Sequence, residues 1–168
     1  MKTKYQAHII WFDGDAENDF DPLRTLCYPE ADVFMVCFSI VSSTSFENVT
    51  EKWIPEIRCH CPGAAIILVG TQNDLRNNPQ VQYQMSRRRM KTVSVASARE
   101  LALKIDAAAY VETSALTQRD LKEAFDEAII SALTCKDKQF SGCNRNSQIK
   151  YENKQRSVWR QMCCCGKK

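Results

Sequence analysis

The stretch that most constrains the fold is an apolar run, residues 65–69 with the sequence AIILV, which Gly70 closes. An uninterrupted run of this length, rich in Ile and Val, is typical of a strand that is buried on both faces. Such strands belong to parallel α/β sheets, in which ligands bind beyond the carboxyl ends of the strands. The polar residues that follow the run are therefore the first candidates for a binding site: Thr71, Gln72, Asn73 and Asp74.

Asp74 carries the most specific chemistry of these four residues. A carboxylate can accept two hydrogen bonds from a planar pair of donors, such as the N1 and N2 edge of guanine. The same residue could instead cap a helix that follows an ordinary polar turn. These few residues alone leave both interpretations open.

Charge is distributed unevenly along the 168 residues, a length that suits one domain. Residues 1–133 carry 14 Lys and Arg against 18 Asp and Glu, whereas residues 134–168 carry 9 against 2. We therefore predict an acidic domain over residues 1–133 and a flexible basic tail over residues 134–168. Such a tail is attracted to anionic lipid or to nucleic acid, and charge alone does not choose between them.

The nine cysteines do not form the pattern of a disulfide framework. Cys37 lies inside an apolar run, Cys163, Cys164 and Cys165 are consecutive, and the others are scattered. We therefore expect a reducing compartment with free or modified thiols. The first residues do not resemble a signal peptide, and no apolar run is long enough to cross a bilayer.

Hydrophobic periodicity predicts strands and helices in alternation. We expect strands at residues 5–12, 32–39 and 109–112, in addition to the central run. We expect helices at about residues 42–59, 97–106 and 119–133, with a short polar surface helix between residues 77 and 93. Ser97 is the predicted cap of the second of these helices. The expected buried face of the last helix comprises Leu121, Ala124, Phe125, Ala128, Ile129 and Ala132.

Arg87, Arg88 and Arg89 form a basic triplet in the predicted surface helix. The triplet could bind nucleic acid, but no row of aromatic residues accompanies it. We therefore expect a solvated face.

Several local stretches are distinctive: DFDPLR at 19–24, YP at 28–29, CFS at 37–39, SFENV at 45–49, WIPE at 53–56, CP at 61–62, residues 66–71 and ETSALTQR at 112–119. The order of the predicted elements resembles that of the Ras superfamily of small GTPases, and these stretches resemble its Rho branch. The polar helix around residues 82–91 occupies the place of the Rho insert. The resemblance covers about residues 5–133 and implies an α/β three-layer sandwich of the small-GTPase type that lacks the first strand, the phosphate loop and the first helix.

The resemblance implies that two loops bind guanine. Residues 71–74 stand at the Asn/Thr-Lys-x-Asp motif, so Thr71 begins the motif, Asp74 would take the base edge, and Gln72 replaces the lysine that packs on the base. The family's second guanine-binding loop is matched by Ser114, Ala115 and Leu116, and the Ala115 amide would face guanine O6.

Two neighbouring groups are expected to support these loops rather than to contact the ligand. They are the Glu112 carboxylate and the Ser114 hydroxyl.

The phosphate side departs from the family pattern. Residues 13–18 stand where the family has Asp-x-Ala-Gly-Gln-Glu. Asp13 could reach Mg²⁺ through water, whereas Ala16 replaces the glycine whose amide approaches the terminal phosphate. Glu17 replaces the glutamine that positions the attacking water, and we expect it to be an exposed switch residue rather than a catalytic one.

The 168 residues contain no Gly-x-x-x-x-Gly-Lys-Ser/Thr motif, and the resemblance aligns Met1 just before the family's third strand. Without those phosphate contacts we expect weak guanine-nucleotide binding and negligible hydrolysis. The family's first strand lies between the strands that correspond to residues 5–12 and 32–39. We therefore expect that these two strands pair with each other, that a partner fills the gap, or that the chain is poorly soluble.

The end of the tail combines Trp159, basic residues and the cluster Cys163, Cys164 and Cys165. This pattern favours S-palmitoylation over prenylation, because the last three residues, GKK, are a poor prenylation ending. An unmodified tail is the alternative. Three adjacent cysteines do not suit a tetrahedral zinc site.

Two functions follow from the resemblance. The first is a Rho-type switch that binds GTP or GDP with Mg²⁺ and engages Rho regulators and effectors at the cytoplasmic face of a membrane, with anionic lipid bound through the tail and no nucleic acid. The second is a catalytically silent, membrane-tethered module that binds the regulators or effectors of other Rho proteins.

Overall fold

The computed structural model describes residues 9–12 and 25–142. The chain divides into two compact units, residues 1–135 and residues 136–168. The first unit contains a parallel sheet with helices on both faces, and the second contains the end of the last helix. No helix in the described part of the chain is both long enough and apolar enough to cross a membrane.

Four parallel strands form the sheet, and they are β1 Ile9–Phe12, β2 Val33–Ser39, β3 Ala65–Thr71 and β4 Ala109–Glu112. Their order in the sheet is β1-β2-β3-β4. β3 lies between β2 and β4, so that Val33 faces Ala65 and Ile67 faces Ala109. The predicted strands are confirmed, with boundaries that differ by one or two residues where both ends are described.

β1 and β2 pair directly, with Ile9 opposite Val33 and Phe12 opposite Val36. The resemblance places another strand between these two in the family. Of the three outcomes that we expected, the structure therefore shows direct pairing, which leaves no strand-wide gap between β1 and β2.

The helices alternate with the strands along the chain. Two short 3₁₀ helices, Thr25–Glu30 and Asn73–Asn77, precede β2 and follow β3. The α-helices are α1 Ser43–Asn48, α2 Ile54–His60, α3 Pro79–Arg87, α4 Val95–Lys104 and α5 Leu121–Gly142.

A π-helical segment, Val49–Trp53, joins α1 to α2, so residues 43–60 form one helical run, as predicted. The Ser42 hydroxyl caps this run by accepting a hydrogen bond from the Ser45 amide at 3.2 Å. Pro55 lacks an amide hydrogen and crowds the preceding turn, and this explains the wider turn just before it.

Two helix starts differ from the predictions. The surface helix α3 is limited to Pro79–Arg87, because the Asn78 side chain caps it and Pro79 occupies its first position. The predicted start of α4 at Ser97 is wrong. Ser94 is the cap, and its hydroxyl accepts a hydrogen bond from the Ser97 amide at 3.0 Å.

The predicted end of α5 at Leu133 is also wrong, because the helix continues to Gly142. Residues 134–141 contain neither Pro nor Gly, and Gly142 is the first residue that disfavours a helix. The predicted buried face of α5 is only partly correct. Ala124, Ala128 and Ala132 are buried, whereas Phe125 and Ile129 are 37% and 43% exposed.

Alternating side chains of β2 and β3 separate the core into two layers, which confirms the predicted three-layer α/β architecture. One layer packs against the helical run 43–60 and α4, and the other against α5. The first contains Phe34, Val36, Phe38, Ile66, Leu68, Val49, Trp53, Ile57, Ala98 and Leu101. The second contains Val33, Met35, Cys37, Ile67, Val69, Val111, Ala124, Ala128 and Ala132.

Candidate functional site

The two loops singled out in the sequence leave the sheet at the same edge. β3 ends at Thr71 and β4 ends at Glu112, and the register places Gly70 opposite Glu112. Because parallel strands direct their carboxyl ends to one side, the segments 72–77 and 113–120 begin next to each other. This edge of the sheet is the candidate site.

Hydrogen bonds join the two loops where they begin. The Thr113 amide donates to the Gly70 carbonyl at 2.7 Å, and the Asn73 amide donates to the Thr113 carbonyl at 3.0 Å. The Asn73 side-chain amide also donates to the Glu112 carbonyl at 3.4 Å. The backbone therefore holds the two loops in register without help from a ligand.

Asp74 and Ser114 connect the loops through their side chains. The fully buried Ser114 hydroxyl donates to Asp74 Oδ1, and the two oxygens are 2.5 Å apart. The same hydroxyl accepts a hydrogen bond from the Thr117 amide at 3.1 Å. Asp74 Oδ2 has no hydrogen-bond partner among the described residues, so the carboxylate is oriented and retains acceptor capacity.

The other candidate residues of this edge differ in what remains available for a ligand. The Thr71 hydroxyl donates to the Phe38 carbonyl at 3.1 Å, and this bond ties it to β2. Gln72 is exposed and has a φ of 61°, and its side-chain oxygen accepts a hydrogen bond from the Ser39 hydroxyl at 2.5 Å. Ala115 and Leu116 are exposed, and Leu116 is 83% accessible.

A polar cluster lies behind the two loops, and sequence reasoning found only one of its members, the supporting Glu112 carboxylate. The Arg76 guanidinium pairs with Glu112 at 2.5 Å and donates to the Val93 carbonyl at 2.6 Å. The Tyr110 hydroxyl donates to the same Glu112 carboxylate at 2.6 Å. Arg76 follows Asp74 by two residues and Glu112 precedes Ser114 by two, so the cluster fixes the positions from which both loops start.

Burial and the neighbouring Glu112 carboxylate raise the pKa of the Tyr110 hydroxyl well above its ordinary value of 10.0. The phenol therefore stays protonated and continues to donate to Glu112 at neutral pH. A donor that holds its proton this firmly has a structural rather than an acid–base use.

Gly70 provides the space that this cluster occupies. A Cβ at Gly70 would lie 3.1 Å from the Tyr110 hydroxyl, 3.2 Å from Ile40 Cγ2 and 3.4 Å from Glu112 Cγ. The glycine that closes the apolar run therefore permits Tyr110 and Glu112 to approach β3 closely.

Several predicted site residues lie outside the described residues. They are the phosphate-side residues Asp13, Ala16 and Glu17 and the lipidation residues Cys163, Cys164 and Cys165. Among residues 9–12 and 25–142, no three metal-ligating side chains come together. Within the same ranges Cys27, Cys37, Cys59 and Cys61 take no part in a disulfide bond.

The chemistry that this edge offers is recognition rather than bond-breaking. An oriented carboxylate with a remaining acceptor oxygen lies beside an exposed loop, and this arrangement suits the planar donor edge of a purine. The adjacent hydroxyls of Thr71 and Ser114 are engaged by protein groups.

A comparison with protein families agrees with the fold. The family model described as the Ras family matches residues 2–134, well over half of the chain. The chain therefore belongs to the Ras family and contains a small-GTPase domain. Proteins of this family generally bind GTP or GDP together with Mg²⁺.

Proposed function

We propose that this chain is a Rho-type member of the family, and that residues 71–74 and 114–116 hold the guanine base of GTP or GDP. The observation that carries the proposal is the 2.5 Å hydrogen bond from Ser114 to Asp74. This bond brings the loops after β3 and β4 together and orients the carboxylate that would read the base.

Six residues of the two loops have roles in the proposal. The Asp74 carboxylate accepts hydrogen bonds from N1 and N2 of guanine, and the Ala115 amide donates to O6. Gln72 and Leu116 flank the base, while Thr71 and Ser114 hold the loops in place. Specificity for guanine then follows from the pattern of donors and acceptors.

The phosphate contacts in the proposal are fewer than in the family pattern. When bound, Mg²⁺ would neutralise phosphate charge, and Asp13 would hold it through water. Ala16 and Glu17 would lie near the terminal phosphate, where a carboxylate in place of glutamine disfavours hydrolysis. We therefore expect the 168 residues to bind nucleotide weakly and to hydrolyse it negligibly.

A titration of the full chain with fluorescently labelled GDP tests the base site. We expect saturable binding in the micromolar range, which Asp74→Ala weakens about 30- to 100-fold because charge-assisted hydrogen bonds are lost. Glu100→Ala is the matched control, because Glu100 is an exposed carboxylate within α4. Equal affinities of the two variants would contradict the proposed base site.

A second function is favoured by the direct pairing of β1 with β2. Because this pairing leaves no place for a central strand that presents a phosphate loop, the chain would act as a silent module that binds Rho regulators or effectors. It would then capture those partners equally well in the presence and absence of GTP. The absence of saturable GDP binding, together with such capture, would favour this function over the switch.

We further propose that the tail holds the chain at the cytoplasmic face of a membrane through palmitoylation of Cys163, Cys164 and Cys165. Nine basic against two acidic residues over positions 134–168 support this proposal, because stable anchoring combines acyl chains with positive charge. Replacing the three cysteines with serine should move the protein from the membrane to the soluble fraction of cells. An unchanged membrane fraction would rule out this anchor.

A further inference from the structure

The C-terminal end of α3 contains a concentrated set of positive charges. Arg87, Arg88, Arg89 and Lys91 fall within five positions, and all four side chains are exposed. Residues 77–99 contain no acidic residue at all, although residues 1–133 as a whole have an excess of acidic residues. We call these four residues the basic end of α3.

None of the four cations has a carboxylate partner among the described residues. Several basic residues elsewhere are engaged. Arg76 pairs with Glu112, Lys122 pairs with Asp126, and Arg58 donates to the Pro62 and Ala64 carbonyls. Within the described residues, these four like charges repel one another without compensation, so an anionic ligand would stabilise them.

The fold explains only part of this cluster. α3 closes with the paired hydrogen bonds of a Schellman motif, in which the Met90 amide donates to the Met85 carbonyl and the Arg89 amide to the Ser86 carbonyl. The helix dipole favours cations in the last turn, and this accounts for Arg87 and Arg88. Arg89, at a φ of 54°, and Lys91 lie beyond that turn, and Arg89 occupies a position that favours glycine.

Apolar surface accompanies the charges. Tyr83 is 65% exposed and lies one helical turn before Arg87, so the two side chains share a face of α3. Met90, between Arg89 and Lys91, is 37% exposed. Arg87 and Arg88 also line a surface hollow together with Gln84.

We propose that the basic end of α3, with Tyr83 and Met90, docks the folded domain on an anionic phospholipid surface. Arginine and lysine attract phosphate headgroups, and an exposed tyrosine and methionine suit the boundary between headgroups and acyl chains. A single exposed aromatic ring does not form the stacking row that single-stranded nucleic acid needs, and this disfavours nucleic acid. The inference does not depend on nucleotide binding or on lipidation of the tail.

Vesicle cosedimentation of the full, unlipidated chain tests this proposal. The vesicles contain phosphatidylcholine, either alone or with about 30% phosphatidylserine. One variant, the patch triple, combines Arg87→Gln, Arg88→Gln and Arg89→Gln. A second variant, the control triple, combines Arg99→Gln, Lys104→Gln and Lys122→Gln. Both triples remove three exposed cations, so they change net charge equally. Circular dichroism verifies that both fold.

We expect binding only to the anionic vesicles, weakened about 10- to 100-fold by the patch triple and less than about threefold by the control triple. High salt screens most of the electrostatic attraction. Tyr83→Ser in the otherwise unsubstituted chain should weaken the vesicle binding that remains at high salt. Equal losses for the two triples would overturn the proposal, because net charge alone would then suffice. Two other results would also overturn it. In one, the unsubstituted chain does not bind vesicles; in the other, the chain binds a DNA oligonucleotide through these arginines but does not bind vesicles.

Discussion

The carboxyl edge of β3 and β4 and the basic end of α3 use arginine in opposite ways. At the sheet edge, Arg76 has both a carboxylate and a carbonyl partner. At the basic end, Arg87, Arg88 and Arg89 have no carboxylate partner within the part of the chain that the structure describes. A paired charge fixes the geometry of its neighbours, whereas an unpaired one is available for binding. The comparison predicts that substitutions at the sheet edge reduce stability and that substitutions at the basic end reduce association.

The largest expected effect is that of Arg76→Met. This substitution leaves the largely buried Glu112 carboxylate without its cation and removes the bond to Val93, so we expect a loss of about 2–3 kcal/mol in the free energy of unfolding. Urea denaturation measures it. Arg87→Met is the control, and it should change stability by less than about 0.5 kcal/mol. Similar losses for both variants would remove the distinction between the two regions.

Gly70→Ala should have the next largest effect. The new methyl group would meet Tyr110, Ile40 and Glu112 at 3.1–3.4 Å, so we expect a loss of about 1–2 kcal/mol from overpacking. Gly63→Ala is the matched control, because a Cβ there meets nothing within 4 Å. Thermal unfolding compares the two, and a stable Gly70→Ala variant would show that the cluster can move without cost.

The pH dependence of stability sharpens the comparison further. The pKa of Tyr110 is raised in the folded state, so above pH 10 the unfolded chain loses this proton while the folded chain keeps it. Stability should therefore fall as the pH rises through and above 10, by less than the roughly 1.4 kcal/mol per pH unit of a fully shielded group, because the ring is partly exposed. Denaturation at pH 9 and pH 11 measures this slope.

Tyr110→Phe should flatten the fall in stability above pH 10, since the titrating hydroxyl is gone. Tyr83→Phe removes an exposed hydroxyl of the same kind and should leave the slope as it is. If Tyr83→Phe flattened the slope as much as Tyr110→Phe, the hydrogen bond to Glu112 would not be its origin.

The smallest expected effect is a gain. Arg89→Gly relieves the left-handed backbone conformation at the end of α3 and should raise the free energy of unfolding by about 0.5–1 kcal/mol. Arg88→Gly, at a φ of −89°, should instead lower it. A loss of stability in Arg89→Gly would show that the arginine contributes to the folded domain.

Local sequence predicted the elements on which the candidate site rests. The run at residues 65–69 identified β3 because burial on both faces requires continuous apolar sequence, and the resemblance identified the loop after β4. Their meeting follows from the common direction of parallel strands. The hydrogen bond between Ser114 and Asp74 needed the structure, since two side-chain conformations decide it.

The features that were missed depend on contacts distant in sequence or on competing local signals. Arg76 and Glu112 pair across two segments whose register no local pattern shows. At α4, Ser94 and Ser97 both suit a cap, and the hydrogen bond from the Val93 amide to the Ile40 carbonyl fixes the chain just before Ser94. The change to basic composition after Leu133 suggested a helix end there, although helix propensity continues to Gly142.

The base preference of the Asp74→Asn variant tests the central claim most directly. Asparagine replaces one acceptor oxygen with a donor, which matches the C2 carbonyl of xanthine instead of the amino group of guanine. Competition between GDP and xanthosine diphosphate should therefore favour GDP in the unsubstituted chain and xanthosine diphosphate in Asp74→Asn. An unchanged preference, or no preference in either protein, would contradict the assignment of this edge of the sheet as a guanine site.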